Sequence, residues 1–315
     1  MSGPASSKRP WTPGAGARTL AATLHGGAGM ADIKLEVIST TTWAGSGNGN
    51  QVPVTNYSRV YLAQGDSWFS LGAVPPWATT NVLEGIWLKD RRLAVDCGYP
   101  GRTLAHMVDR VTDPTFDQLL AGKLAWPWDG LLMSGGGNDL IDALGVEPHH
   151  EREVRLLRRQ DEWGSGSSAS RYVCEEGWTT FRGHMLAVLD VLLARRDASR
   201  NPAMPVYLHT YDQVTPRFAP AGAGKGPWLA PALKAYGIPP DDWNPVADEL
   251  IERLRQLWLG AAGPARNVHV IDTVGTLRRA DPGTKGNSND WENEIHPNKH
   301  GYGLLGEKWR EVLDP

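Results

Sequence analysis

Short runs of apolar and β-branched residues recur along the chain at RVYLAQ (59–64), RLAVDC (92–97), GLLMSG (130–135), PVYLHT (205–210) and NVHVID (267–272). Each has the length of a buried strand and is closed by Gly, Asp or another turn residue. Amphipathic stretches between them predict helices over Thr80–Lys89, Thr103–Arg110, Trp178–Arg196, Pro245–Leu259 and Tyr302–Leu313. In Pro245–Leu259, Val246, Leu250, Leu254, Leu257 and Trp258 share one face, while Glu249, Glu252 and Arg253 lie off it. Strand alternating with helix implies parallel strands, right-handed crossovers and helices on both faces of one sheet. The expectation is a three-layer α/β/α domain around a parallel five-stranded sheet. Ligands of such sheets bind beyond the carboxyl ends of the strands, so the informative residues should follow the runs directly.

The N-terminal part reads differently. Residues 1–31 are rich in Gly, Ala, Ser and Pro without periodicity, which is the composition of a mobile segment. One strand-like run, Ile33 to Ser39, precedes the Gly-rich AGSGNGNQ at 44–51. The expected division is an N-terminal extension over 1–56, partly disordered, and the main domain over 57–315.

Composition narrows the function classes. Against 35 Asp+Glu stand 32 Lys+Arg, a net charge of −3, so the basic surplus of a general nucleic-acid binder is missing and no nucleic-acid partner is expected. Cys97 and Cys174 cannot build a disulfide framework and read as reduced thiols. The longest apolar stretch, MLAVLDVLLA at 185–194, contains Asp190 and has about half the length a bilayer requires. With no signal-peptide core recognised, the default expectation is a cytoplasmic protein without a membrane segment. The 14 Trp against 4 Phe stand out, and 36 Gly with 23 Pro point to long loops.

Four clusters carry candidate chemistry. Gly65-Asp66-Ser67-Trp68 follows the first run, and Asp96-Cys97-Gly98-Tyr99-Pro100-Gly101-Arg102-Thr103 closes the second. Ser134-Gly135-Gly136-Gly137-Asn138-Asp139 closes the third, and Asp290-Trp291-Glu292-Asn293-Glu294-Ile295-His296-Pro297-Asn298 precedes the last helix. A serine hydroxyl needs a neighbouring base to become a nucleophile, and His296 is the candidate base for Ser67. Attack on a carbonyl creates an oxyanion, which close backbone N–H groups and an Asn amide can stabilise.

In order, spacing and context these clusters resemble the four signature blocks of the SGNH (GDSL-type) hydrolase superfamily, over about residues 57–315. HTYDQVTPRF and GKGPWLAPAL, within 209–233, also look like the loop and helix of a bacterial subgroup of that superfamily. The resemblance implies a flavodoxin-like α/β/α fold, Ser67 as nucleophile and His296 as base. It also implies an oxyanion hole from the Ser67 N–H, the Gly101 N–H and the Asn138 side chain. Gly98 rivals Gly101, but the Gly-x-Thr context favours Gly101. Asp66 and Asp139 are expected to hydrogen-bond loop backbone.

One position departs from the family pattern. The last block is usually Asp-x-x-His, whereas here Asn293 stands three residues before His296. The acid normally fixes the imidazole tautomer and stabilises the imidazolium, whereas a neutral amide can orient the ring but offers no negative charge. Asp290 is expected to substitute as the orienting acid, with Glu292 and Glu294 as weaker options.

Other motifs fall away. No Gly-x-Ser-x-Gly elbow is present, and GAGKGP at 222–227 lacks the spacing and the Ser/Thr of a P-loop. His296 with His300, and His149 with His150, lack a third ligand for a metal site. Trp68, Trp77, Trp163, Trp228 and Trp291 are candidates for lining a cleft. The expected function is an esterase- or lipase-type ester hydrolase without metal or organic cofactor, acting on a small-molecule, carbohydrate or lipid ester. The rivals are an acyltransferase on the same scaffold and a non-catalytic ligand-binding domain.

Overall fold

The computed structural model describes residues 32–45, 52–70 and 80–315. The N-terminal disorder expected over residues 1–31, the tip of the Gly-rich segment and Trp77 lie outside the described residues. In chain order the elements begin with β1 (Ile33–Lys34), β2 (Glu36–Ser39), α1 (Thr40–Gly45) and β3 (Arg59–Gly65). Next come α2 (Val82–Gly85), β4 (Trp87–Leu88), β5 (Arg92–Asp96), α3 (Leu104–Val108), α4 (Pro114–Leu120), β6 (Gly130–Ser134) and α5 (Gly137–Leu144). The chain closes with α6 (Glu175–Asp197), β7 (Val206–His209), α7 (Leu229–Ala235), α8 (Trp243–Ala261), β8 (Val268–Ile271) and α9 (Lys299–Leu313).

The main sheet is parallel throughout, in the order β2-β5-β3-β6-β7-β8. Its central strands are buried on both faces, as in β6 and in β3 from Val60 onward, which is why they read as unbroken apolar runs. Among the described residues the sheet has six strands rather than five. Residues 33–39 break at buried Leu35, and β2 then pairs along the outer edge of β5 with Glu36 opposite Leu93. Residues 36–39, assigned from sequence to the extension before residue 57, are thus part of the main sheet. Their partner strand offers an edge of backbone groups that pairing satisfies.

The step from β3 to β5 runs opposite to every other step across the sheet. With right-handed crossovers it sends α2 to one face and the helices after β5, β6 and β7 to the other. On the first face α9 packs beside α2, and Trp309 meets Phe69 and His209. The second face is layered by α3 against α6 and by α7 against α8. The reversal occurs at β3, so a crevice opens at its carboxyl end, directly before Ser67.

The predicted helix over Thr80–Lys89 is cut to one turn. A Cβ on Gly85 would lie 2.3 Å from the Tyr302 carbonyl oxygen, and one on Gly306 would lie 2.0 Å from that of Gly85. Two glycines thus let α2 and α9 touch backbone to backbone. The chain then extends so that β4 pairs antiparallel with β1. No helix among the described residues is long and apolar enough to cross a membrane.

Candidate active site

Ser67 sits on the turn that leaves β3. Gly65 must be glycine, because a Cβ there would lie 2.9 Å from Phe69 Cβ and 3.0 Å from Ser134 Cβ. Asp66 folds the turn: its Oδ1 accepts the Trp68 N–H at 2.9 Å and the Ser134 hydroxyl at 2.8 Å, and its Oδ2 accepts the Tyr211 hydroxyl. Burial pushes the Asp66 carboxyl up to about 6 against the pull of these three donors. Tyr211 reaches it from just past β7 with a left-handed backbone, φ +61. That strain in a non-glycine residue is outweighed by the surrounding bonds.

The histidine comes from the other end of the chain, on a loop folded back on itself. Glu292 N–H donates to the His296 carbonyl at 2.9 Å, and Asn298 N–H donates to the Asp290 carbonyl at 2.9 Å. Trp291 is fully buried beneath this hairpin-like turn, and Trp68 Nε1 donates to the Ile295 carbonyl at 3.2 Å. The Trp68 bond links the Ser67 turn to the histidine loop. His296 Nε2 then lies 2.8 Å from Ser67 Oγ.

Asn293 sets the tautomer. Its Oδ1 accepts the N–H groups of Ile295 at 3.1 Å and His296 at 3.0 Å, so the oxygen and not the nitrogen of the amide faces the ring. His296 Nδ1 stands 3.0 Å from the same oxygen and therefore carries the proton. Nε2 is left with a lone pair aimed at the serine hydroxyl. Burial without a neighbouring charge pulls the imidazole down to about 4, so it is neutral at pH 7.

Asp290 does not reach this histidine. Its Oδ2 accepts the Arg278 N–H at 2.7 Å and its Oδ1 meets His300 Nδ1 at 2.9 Å. The expectation that it orients His296 is corrected by the loop's fold, which sets residue 290 opposite 298 and directs its carboxylate to Arg278 and His300. Glu292 accepts from Asn287 at 2.9 Å. Glu294 is buried and accepts the N–H groups of Arg217, Trp228, Leu229 and Ala230. Asn293, three residues before His296, is the side chain that touches the ring.

Ser67, Gly101, Asn138 and His296 line one cavity of about 300 Å³, together with Pro100, Lys225 and Trp228 among others. Gly101 has φ +78, a conformation that favours glycine. Gly98 is instead a turn glycine whose N–H donates to Asp96 Oδ1 at 2.7 Å. Asn138 opens α5, and its Nδ2 donates to the Arg102 carbonyl at 3.0 Å, which holds the amide beside Gly101. Asp139 accepts the Leu104 N–H at 2.9 Å and so ties α5 to α3. Among the described residues, the Ser67 and Gly101 N–H groups have no protein acceptor.

A second, smaller cavity of about 50 Å³ opens on the other side of Ser67. Its walls are largely apolar, with Trp68, Leu140, Ile141, Leu144, Val214 and Ile251 among them. Trp68 and Trp228 thus border the site, whereas Trp163 and Trp291 line neither cavity. Among the described residues, no group of three or more His, Cys, Asp or Glu side chains is arranged to hold a metal ion. Tyr211, Arg217 and Glu294 support the site without having been assigned a role in holding the turn or the loop. Only Tyr211 carried a usable signal, its place directly after the fourth strand run.

No family model matches the chain, and no curated protein matches it. Among solved structures, the chain is similar to a possible lipase from Chitinophaga pinensis, at 13% identity and a TM-score of 0.49, over 81% of this chain and 98% of that one. It is also similar to a lipase from a goat rumen metagenome, at 15% identity and a TM-score of 0.48, over 81% and 97%. A third is an acetyl xylan esterase from Geobacillus stearothermophilus, at 13% identity and a TM-score of 0.39, over 81% and 94%. In its four sequence blocks, and in the layered sheet that brings them to one cavity, the chain resembles the SGNH hydrolases.

Proposed function

We propose that this chain is a serine ester hydrolase of the SGNH type that works through a covalent acyl-enzyme. The observation that supports it is the 2.8 Å contact between Ser67 Oγ and a neutral His296 whose other nitrogen is held by Asn293. As Ser67 Oγ attacks the ester carbonyl carbon, its proton passes to His296 Nε2. The imidazolium that forms keeps its Nδ1–H on the Asn293 oxygen, a dipole rather than a charge. The carbonyl oxygen becomes an oxyanion facing the Ser67 and Gly101 N–H groups and the Asn138 amide. Collapse breaks the bond to the alcohol oxygen, which takes the proton from Nε2 and leaves. Water then attacks the acyl-serine by the same path, with His296 again as base, and releases the acid.

The two cavities fit the two halves of an ester. His296 must protonate the departing oxygen, and it lines the larger cavity and not the smaller one. The alcohol part therefore occupies the larger cavity and the acyl part the apolar one. A volume of about 50 Å³ suits a short acyl chain.

The deciding experiment is labelling by a fluorophosphonate, with p-nitrophenyl acetate hydrolysis in parallel. The expected result is a single adduct on Ser67 and a rate at least about 1,000-fold lower in Ser67→Ala. Equal background rates in the two proteins, with no label on Ser67, would sink the proposal.

A further inference from the structure

Building on the hydrolase reading, we infer that Lys225 selects esters whose alcohol part carries an anionic group, such as a carboxylate or phosphate. Lys225 lines the larger cavity together with Ser67, His296 and Trp228, and no carboxylate lines that cavity. Among the described residues Lys225 has no ion-pair partner. The stretches outside them, 1–31, 46–51 and 71–79, contain no Asp or Glu in the sequence. The other nearby cation differs: Arg102 is paired with the buried carboxylate of Asp113. The cleft therefore presents one uncompensated positive charge on its leaving-group side.

The lysine is held there by backbone. The Lys225 N–H donates to the Gly222 carbonyl at 3.1 Å, and the Lys225 carbonyl accepts the Ala221 N–H at 2.9 Å, with Gly224 at φ +69 closing the tight turn. Both feet of this loop stand on Glu294. Its N–H donates to the Ala219 carbonyl at 3.0 Å, while its carboxylate takes the N–H groups of Trp228, Leu229 and Ala230. Glu294 lies two residues before His296, so the loop's position is fixed relative to the base. Trp228 adds an aromatic edge, its ring centroid 5.8 Å from that of His296. A planar or ring-shaped alcohol with a negative group toward Lys225 fits these walls.

The test compares 4-acetoxybenzoate, which is anionic, with its neutral counterpart 4-acetoxybenzamide. Taking kcat/KM for each gives a selectivity ratio that cancels differences in leaving-group reactivity between protein variants. In Lys225→Met the ratio should fall about fivefold, mainly through a higher KM for the anion, and Lys225→Arg should retain it. Raising the salt from 0.05 M to about 0.5 M should shrink the wild-type ratio and leave that of Lys225→Met unchanged. An unchanged ratio in Lys225→Met, in a protein that hydrolyses both esters, overturns this inference alone. Failure of the wild-type chain to hydrolyse either ester overturns the hydrolase reading, and this inference with it.

Discussion

Asn293 Oδ1 stands 3.0 Å from His296 Nδ1, where a carboxylate would ordinarily sit, and it takes two backbone N–H groups as well. The ring is thereby oriented without being charged against. With burial unopposed, the imidazole lies at about 4, and the base form predominates above that pH. The profile of kcat/KM for a neutral ester should rise through about pH 4 and then stay level to pH 8. Asn293→Asp tests the cause. The Nδ2 it replaces is buried with no partner among the described residues, so the exchange breaks no hydrogen bond. A carboxylate there should move the acid limb upward by about 1–3 units, and an unmoved limb would show that Asn293 does not govern the base.

On the proposed reading, the small cavity sets the chain length of the acyl group. p-Nitrophenyl acetate or propionate should be hydrolysed with kcat/KM at least about 100-fold above the octanoate. Leu144 lines that cavity, and Leu144→Ala should widen it and shift the optimum toward longer chains. Stopped assays over a C2–C8 ester series would show this. A flat series in both proteins would mean the cavity does not hold the acyl group.

The Asp66 carboxyl makes stability depend on pH in an unusual direction. Its value in the folded chain, about 6, exceeds the ordinary 3.8, so the folded state binds the proton more tightly than the unfolded chain. Its contribution is fully present below pH 3.8 and is lost as pH rises through 6. Relative to Asp66→Asn, the wild type should therefore gain stability as pH falls from 7 to 4, by at most about 3 kcal/mol. Thermal melts of the two proteins across that range measure the gap directly. A gap that stays constant would contradict the shift.

Glu294→Gln should be far more damaging than its size suggests. Four backbone N–H groups converge on this carboxylate, and an amide NH₂ would turn donor against donor. The expected loss is about 3 kcal/mol in denaturant unfolding, with kcat/KM lowered because the histidine loop loses its anchor. A variant as stable and as active as the wild type would rule out that anchoring.

Much of this could be read from the chain, and the boundary has a physical basis. The central strands were legible because burial on both faces writes an unbroken apolar run. The residues brought to one cavity, Ser67, Gly101, Asn138 and His296, all lie where strands or the last loop end. The edge strand Glu36–Ser39 was not legible as part of the sheet, since one-sided pairing leaves a weak pattern. The short α2 depends on Gly85 meeting Gly306, a contact between distant segments. The choice between Asp290 and Asn293 turns on how the nine residues 290–298 fold back on themselves. Tyr211 and Glu294 act on partners 145 and 64–77 positions away, which no local spacing reveals.

Ser67 and His296 are 229 positions apart, joined across the Trp68–Ile295 bond. The first belongs to the turn after the strand at the sheet's reversal, and the second arrives only with the loop that leads into the final helix. A chain emerging from synthesis therefore carries its serine for most of its length with no base beside it. On the proposed reading, reactivity is switched on by completion of the fold itself, and a fragment that stops short of residue 296 lacks the base.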